Sequence, residues 1–168
     1  MSKSNGCNAT VVLTLGDGAG DCDIKFLVDG EPWHPDPVVN NNPLTYTLTQ
    51  QCPPGWGFYG ISFWGEQDPA EVEKPQSRHP LGGVPHTMVS QLWNDGWQNG
   101  VTKFAGQTYV DGINVNVNPS GEITFTVHNP LAINGRIGFH VTFTNYDNNY
   151  TPMFTSRDPE IPLRRNDG

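Results

Sequence analysis

Tryptophan is the residue type in this sequence that most directly suggests binding chemistry. Of the five tryptophans, Trp93 and Trp97 bracket a short polar segment and are followed by two further amide residues. An indole ring stacks on the C–H groups of a sugar, while nearby amide and carboxylate groups bond to its hydroxyls. We therefore predict a shallow carbohydrate site outside the regular strands, formed by Trp93, Asn94, Asp95, Trp97, Gln98, Asn99 and Trp56.

The alternative for the same tryptophans is a purely structural role. Tryptophan is mostly buried in proteins, so Trp93 and Trp97 would then close one end of the hydrophobic core. Trp64, which ends an apolar run, is predicted to lie in the core on either interpretation.

A glycine-rich loop at residues 16–21 carries a second candidate site. Asp17, Asp21 and Asp23 offer hard oxygen ligands of the kind that Ca²⁺ prefers. The EF-hand spacing is missing, and aspartate and glycine are ordinary turn residues, so a plain acidic turn is the alternative. The loop also resembles half of a nucleotide-binding fingerprint, but a strand-like segment follows it and the aspartates would repel phosphate.

The sequence contains no recognisable catalytic or zinc motif: HExxH, paired-cysteine and GxSxG spacings do not occur. His79 and His86 share the long segment at 65–100 and are the histidine pair best placed to meet at one metal. His128 and His140 are expected on one polar sheet face about 13 Å apart, which is too far for a shared metal. We therefore predict no catalytic residues, and a metal-dependent enzyme ranks third among the functions considered.

The three cysteines are predicted to be free thiols. Strands at 9–15 and 23–29 would form a hairpin with Cys22 near its turn and Cys7 at its open end, and Cys52 follows a different strand. The hairpin separates Cys7 from Cys22 by more than the roughly 7 Å that a disulfide allows between Cα atoms.

These candidate sites must be positioned by strands, because the chain shows period-2 alternation and no clear helical period. Strand signals are clearest at 44–49, 58–64, 113–117, 123–127 and 137–143, separated by turns rich in Gly and Pro. We predict an all-β fold, an antiparallel β-sandwich with a small β-barrel as the alternative. The last three strands are expected to form a meander in one sheet.

A long irregular insertion is predicted at about 65–100, where no strand signal is clear. Within it, a short helix is considered from Thr87 to Trp93, with Thr87 as its N-cap. Because long irregular insertions are often functional, this segment is the first place to expect a binding site.

The alternation also predicts which side chains are buried. The core is predicted to contain Leu44, Tyr46, Leu48, Ile113, Val115, Val117, Ile123, Phe125, Val127, Ile137, Phe139, Val141 and Phe143. Their alternating neighbours are predicted to face away from it, namely Thr45, Thr47, Asn114, Asn116, Thr124, Thr126 and Thr142.

Length and charge limit the classes of partner. The 168 residues suit one domain, 1–168, with a loose tail at 164–168. The formal net charge is −8 and no basic stripe is present, which disfavours nucleic acid and anionic membrane surfaces as partners. The first residues lack the apolar segment of a signal peptide, so we expect a cytoplasmic protein, or a secreted one if a signal has been removed.

The favoured hypothesis from the sequence is a non-enzymatic, ligand-binding β-sandwich that binds carbohydrate as a lectin does. Its partners would be a neutral small molecule or a glycan and, in a homo-oligomer, further copies of the chain. The alternative is a structural or self-assembly protein whose edge strands or polar faces pack against further copies of the same protein. No cofactor is expected apart from the calcium considered above.

Overall fold

The structure is a computed structural model that describes residues 6–18, 21–39, 42–67, 87–93, 101–104, 107–116, 121–157 and 159–165, with the backbone alone at 67, 87–93 and 101–104. The strands in these ranges are β1 (Gly6–Leu15), β2 (Cys22–Val28), β3 (Glu31–Pro32), β4 (Val38–Val39), β5 (Leu44–Gln51), β6 (Trp56–Gln67), β7 (Thr87–Trp93), β8 (Val101–Phe104), β9 (Gln107–Asn116), β10 (Glu122–Val127), β11 (Gly135–Asn145), β12 (Met153–Thr155) and β13 (Glu160–Arg164). One short 3-10 helix, η1 (Tyr146–Asn148), follows β11.

The strands form two open sheets that pack face to face, which confirms the all-β sandwich. Sheet A has the order β3-β2-β1-β5-β10-β9-β8, and sheet B has the order β4-β13-β11-β6-β7, with β12 paired to β11. In the part of the chain that the structure describes, neither sheet closes on itself. Aromatic rings join the two inner faces, for example Phe63 of β6 and Phe125 of β10, whose centroids lie 5.0 Å apart. Among the described residues, no helix is long and apolar enough to cross a membrane.

Among the described strands, two pairs are parallel, so the sheets of the predicted sandwich are mixed rather than entirely antiparallel. β1 runs parallel to β5 in sheet A, and β4 runs parallel to β13 in sheet B. The reason is the connection between β2 and β5. After β3 the chain crosses to sheet B, contributes β4 there, and returns to place β5 beside β1 in the same direction.

The predicted N-terminal hairpin is confirmed. β1 and β2 pair antiparallel from Thr10 opposite Leu27 to Leu15 opposite Cys22. Cys22 therefore lies at the turn and Cys7 beyond the paired region at the other end. All three cysteines are free thiols in the structure.

The predicted meander is wrong, because β11 belongs to the other sheet. β9 and β10 do form a hairpin in sheet A, but β11 pairs with β6 and β13 in sheet B. The buried amide of Asn129 organises the crossing. Its Nδ2 donates to the carbonyls of Ile133 and Arg164 at 3.0 and 3.1 Å, and its Oδ1 accepts the N–H of Ile133 at 3.1 Å.

Most of the predicted core is buried. Of the thirteen predicted residues, Leu44 is only half-buried, Val117 lies outside the described residues, and the others are buried. Trp64 is buried as predicted. Thr142 was predicted to face solvent but is buried, because β12 covers it and its hydroxyl is 2.9 Å from that of Thr155.

The described parts of the segment at 65–100 form strands, whereas an irregular insertion was predicted. β6 continues to Gln67, and Thr87–Trp93 forms β7 rather than a helix. β7 pairs antiparallel with β6, from Thr87 opposite Gly65 to Trp93 opposite Gly60. Tertiary strand pairing therefore overrides the local capping signal at Thr87. The rest of the segment, at 68–86 and 94–100, lies outside the described residues.

The described part of the predicted loose tail is held in place. Arg164 ends β13, and the N–H of Arg165 donates to Oδ1 of Asn134 at 2.9 Å.

Candidate functional site

The structure places two of the predicted sugar-binding residues towards one end of sheet B. Trp56 is the first residue of β6. Trp93 is the last residue of β7 and pairs with Gly60 of β6. The other predicted members, Asn94, Asp95, Trp97, Gln98 and Asn99, lie outside the described residues, and so do His79 and His86.

The ring of Trp56 is not an open platform. It is half-buried, packs against the core and stacks on Phe154 of β12, with 5.2 Å between centroids and an interplanar angle of 4°. Trp56 therefore helps to close this end of the sandwich, which is the structural role considered above for other tryptophans.

A cluster of three tyrosines lies beside these residues and was missed by the sequence analysis. Tyr150 packs edge-on against Tyr59, with centroids 5.9 Å apart, and against Tyr146, with centroids 5.3 Å apart. Tyr59 immediately precedes Gly60, the backbone partner of Trp93. Tyr59, Tyr146 and Tyr150 are named the tyrosine cluster below.

A β-bulge positions Tyr59. Thr142 of β11 pairs with Gly60 and the next residue, Phe143, pairs with Phe58, so the register of the ladder shifts at Tyr59. Bulges commonly redirect a side chain at the edge of a binding site.

Hydrogen bonds fix Tyr146 at the start of the loop after β11. Its N–H donates to the carbonyl of Gly55 at 2.8 Å, and its hydroxyl donates to the carbonyl of Phe58. Asn145 caps η1, accepting the N–H of Asp147 at 3.1 Å through its side-chain oxygen. These bonds join the loop to β6 next to the bulge.

Tyr150 is held in a conformation that costs free energy. Asn149 and Tyr150 have φ of 55° and 62°, and this left-handed region is unfavourable for a bulky residue such as tyrosine. The N–H of Tyr150 donates to the carbonyl of Asn145 at 3.0 Å, and the Asn148 amide donates to the carbonyl of Thr151 at 2.9 Å. Tyr150 as a whole residue is 51% exposed.

The aspartates of the 16–21 loop do not come together as a metal site. Oδ2 of Asp21 accepts the N–H of Gly18 at 3.2 Å, and Asp23 forms an exposed ion pair with Lys25 at 3.7 Å. In the described part of the chain, no three His, Cys, Asp or Glu residues are grouped as metal ligands. The geometry around Asp21 is that of a hydrogen-bonded acidic turn.

The histidines predicted to share a face belong to different sheets. Nε2 of His128 lies 2.9 Å from Oδ1 of Asp111 in sheet A, whereas Nδ1 of His140 lies 2.7 Å from the carbonyl of Ser156 beside sheet B. The distance expected between His128 and His140 assumed that β10 and β11 are neighbours in one sheet. Because the two strands lie in different sheets, that distance does not apply.

The thiols are poorly suited to nucleophilic chemistry. Burial raises the pKa of Cys7 and of Cys52. Burial, followed by the charges of Asp23 and Asp21, also raises the pKa of Cys22. Raised pKa values keep these thiols protonated at neutral pH, and the thiolate is the reactive form.

Comparison with known proteins adds no functional assignment. No protein-family model and no curated protein matches the chain.

Proposed function

We propose that the protein is a non-enzymatic carbohydrate-binding β-sandwich whose site includes the tyrosine cluster. The exposure of Tyr150 carries the proposal. A half-exposed aromatic ring held in a strained backbone destabilises the fold, and such strain is concentrated at functional sites. The ring offers an apolar face for the C–H groups of a sugar.

Polar groups for the sugar hydroxyls are available in the loop that carries Tyr150. Asp147, Asn148 and Asn149 are exposed in the same loop. Their carboxylate and amide groups supply both acceptors and donors. The arrangement repeats the combination of aromatic, amide and carboxylate residues from which the sequence predicted a sugar site at Trp93–Asn99.

The charge near the cluster favours a neutral sugar. Asp147 is the charged residue of the described loop from Asn145 to Thr151, and the whole chain has a net charge of −8. An anionic sugar would be repelled, whereas a neutral glycan would not.

A glycan array with the purified protein, its oligomeric state measured first, tests the proposal. We expect binding of neutral glycans by the wild type and loss of binding by Tyr150→Ala. Leu131→Ala is the matched control, because Leu131 is also an exposed apolar residue, at 40%, but lies in the β10–β11 connection. Single-site sugar binding is weak, so an oligomer would give a stronger signal through avidity.

Two outcomes would contradict the proposal. One is a blank array with an oligomeric or artificially multimerised protein. The other is a Tyr150→Ala variant that binds as the wild type does. Trp93→Ala and Trp97→Ala in the same array test whether the site extends along the segment that follows β7.

A further inference from the structure

Part of the outer edge of β2 is left open by the strand beside it. β3 pairs only with the last two residues of β2, and the N–H of Trp33 then donates to the carbonyl of Phe26 at 3.0 Å. From there the chain turns to sheet B, where the indole of Trp33 donates to the carbonyl of Glu160 at 2.7 Å. In the described part of the chain, no strand covers the edge of β2 from Cys22 to Lys25.

The open edge presents backbone groups without partners. Because the carbonyl of Phe26 points away from β1, the alternate residues Ile24 and Cys22 point their N–H and C=O groups the same way. Asp23 and Lys25 direct theirs towards β1. Within the described structure, no group bonds the outward N–H and C=O of Ile24 and Cys22. An edge of this kind is a template for a further strand.

A second open edge belongs to β12 in the other sheet. The N–H of Ser156 donates to the carbonyl of Val141 in β11 at 2.9 Å, so the preceding residue, Thr155, points its backbone groups away from β11. Among the described strands, β12 pairs with β11 alone. Met153, on the same edge, is 46% exposed. Each sheet therefore has an uncovered edge.

The two edges enclose a groove of about 460 Å³, a volume within the range of small binding sites. Residues of both sheets line it, namely Cys22, Asp23, Ile24, Phe26, Thr155, Ser156 and Arg157. Arg157 forms no ion pair with any residue in the described ranges. The groove thus combines two lines of unpaired backbone groups with one unpaired cation.

A second copy of the chain fits this edge poorly. Antiparallel pairing of two copies centred on Ile24 would put Cys22 of the second copy at the position that Trp33 already occupies. Registers shifted towards the turn would put Asp23 opposite Asp23 or Asp21 of the second copy, and like charges directly opposite destabilise a sheet. The observations therefore favour a segment of a different protein.

We propose that the groove binds an extended peptide segment of another protein, which adds a strand to the open edge of β2. Its backbone would pair with Ile24 and Cys22, a common way for sheets to bind peptides. Residues that pair across two strands share one face of the sheet, so the peptide residues bonded to β2 also direct their side chains into the groove. A carboxylate among those side chains would meet Arg157. The site is separate from the tyrosine cluster and does not rest on the proposed sugar binding.

Amide hydrogen exchange followed by NMR, with the peptide acetyl-Thr-Val-Glu-Val-Thr-amide, tests the proposal. We expect exchange at Ile24 and Cys22 to become slower at millimolar peptide, because their N–H groups gain acceptors. Asp23 and Lys25, whose N–H groups face β1, are internal controls and should not change. Unchanged exchange at Ile24 at the highest soluble peptide concentration would overturn the proposal. Exchange that slows with protein concentration alone would indicate a second copy instead, and would also overturn it.

Two N-methylated peptides distinguish strand addition from loose adsorption. A methyl group on the Glu nitrogen removes an N–H that would bond β2, so it should abolish binding. A methyl group on a Val nitrogen lies on the side that faces away from β2, so it should leave the affinity largely unchanged. If the two methylated peptides bind equally, the proposal is wrong.

A charge variant tests the role of Arg157. Arg157→Gln should weaken binding of the Glu peptide about threefold, the usual size for an exposed ion pair. A peptide with Gln in place of Glu should bind the wild type and this variant equally. Arg165→Gln removes the same charge outside the groove and should leave the affinity of the Glu peptide unchanged. An equal loss in Arg165→Gln, or no loss in Arg157→Gln, would overturn the proposal.

Discussion

Oε1 of Gln50 in sheet A accepts the backbone N–H of Phe58 in sheet B, with 2.9 Å between the two atoms. The Gln50 side chain lies over Gly121, where an added Cβ would be 2.0 Å from it and where φ is 63°. Phe58 immediately precedes Tyr59, the residue in the bulge. This bond therefore joins the two sheets at the place where the ladder of β6 and β11 is interrupted.

Gln50→Leu should destabilise the protein by about 1–3 kcal/mol, because it leaves a partly buried N–H without its acceptor. Chemical denaturation measures the free energy of unfolding. Gln51→Leu is the control, since Gln51 is the exposed neighbour in the same strand. Equal stability of the two variants would show that the bond between the sheets contributes little.

Gly138→Ala should destabilise the protein by about 1–3 kcal/mol through overpacking. A Cβ at Gly138 would lie 2.0 Å from the Trp64 ring, which is itself covered by the guanidinium of Arg136 at 5.7 Å. The same substitution in a Trp64→Leu background should cost less, because the obstructing ring is gone. A double-mutant cycle with equal costs in both backgrounds would contradict this explanation.

Position 150 should prefer glycine to alanine. With φ at 62°, an L-residue is destabilised by about 1–2 kcal/mol relative to glycine. The free energy of unfolding of Tyr150→Gly should therefore be higher than that of Tyr150→Ala. Both variants lose the ring contacts equally, which isolates the backbone effect. Gly and Ala variants at Asn148, in η1, serve as the control and should show the opposite order.

The protein should lose stability as the pH rises above 10. Burial raises the pKa of Tyr109 from 10 to about 12, although a backbone hydrogen bond at Leu131 partly offsets the shift. The unfolded chain therefore releases this proton before the folded one does, so stability is complete below pH 10 and falls towards pH 12. Unfolding free energies measured across this range should fall less steeply for Tyr109→Phe, and an identical slope would argue against Tyr109 as the cause.

The sequence predicts burial better than it predicts topology. Tyr46 and Leu48 are buried and Thr45 is exposed because one face of β5 packs against the core. Apolar residues at every second position of the sequence predict that face. Period-2 alternation does not predict to which of the two sheets a strand belongs. β10 and β11 have similar patterns, yet long-range pairing and the Asn129 turn place them in opposite sheets.

The candidate site was only partly predictable for a related reason. Tyr59 is brought to Tyr146 and Tyr150 by pairing between distant strands, which no local window contains. One signal was available: the run Asn145–Tyr150 combines tyrosine, asparagine and aspartate much as Trp93–Asn99 combines tryptophan with similar residues. Applying the same criterion to both segments would have identified the loop after β11.

The parallel pairing of β1 with β5 has a consequence for biosynthesis. Synthesis of β1 and β2 precedes that of β5 and β10, but β1 is an interior strand of sheet A. The other neighbour of β1 in sheet A is β5, which is synthesised after β4 of sheet B. β10 must then pair with the other edge of β5. One edge of the β1–β2 hairpin therefore stays unpaired until β5 has been synthesised, and such non-local strand pairing is typical of proteins that fold slowly.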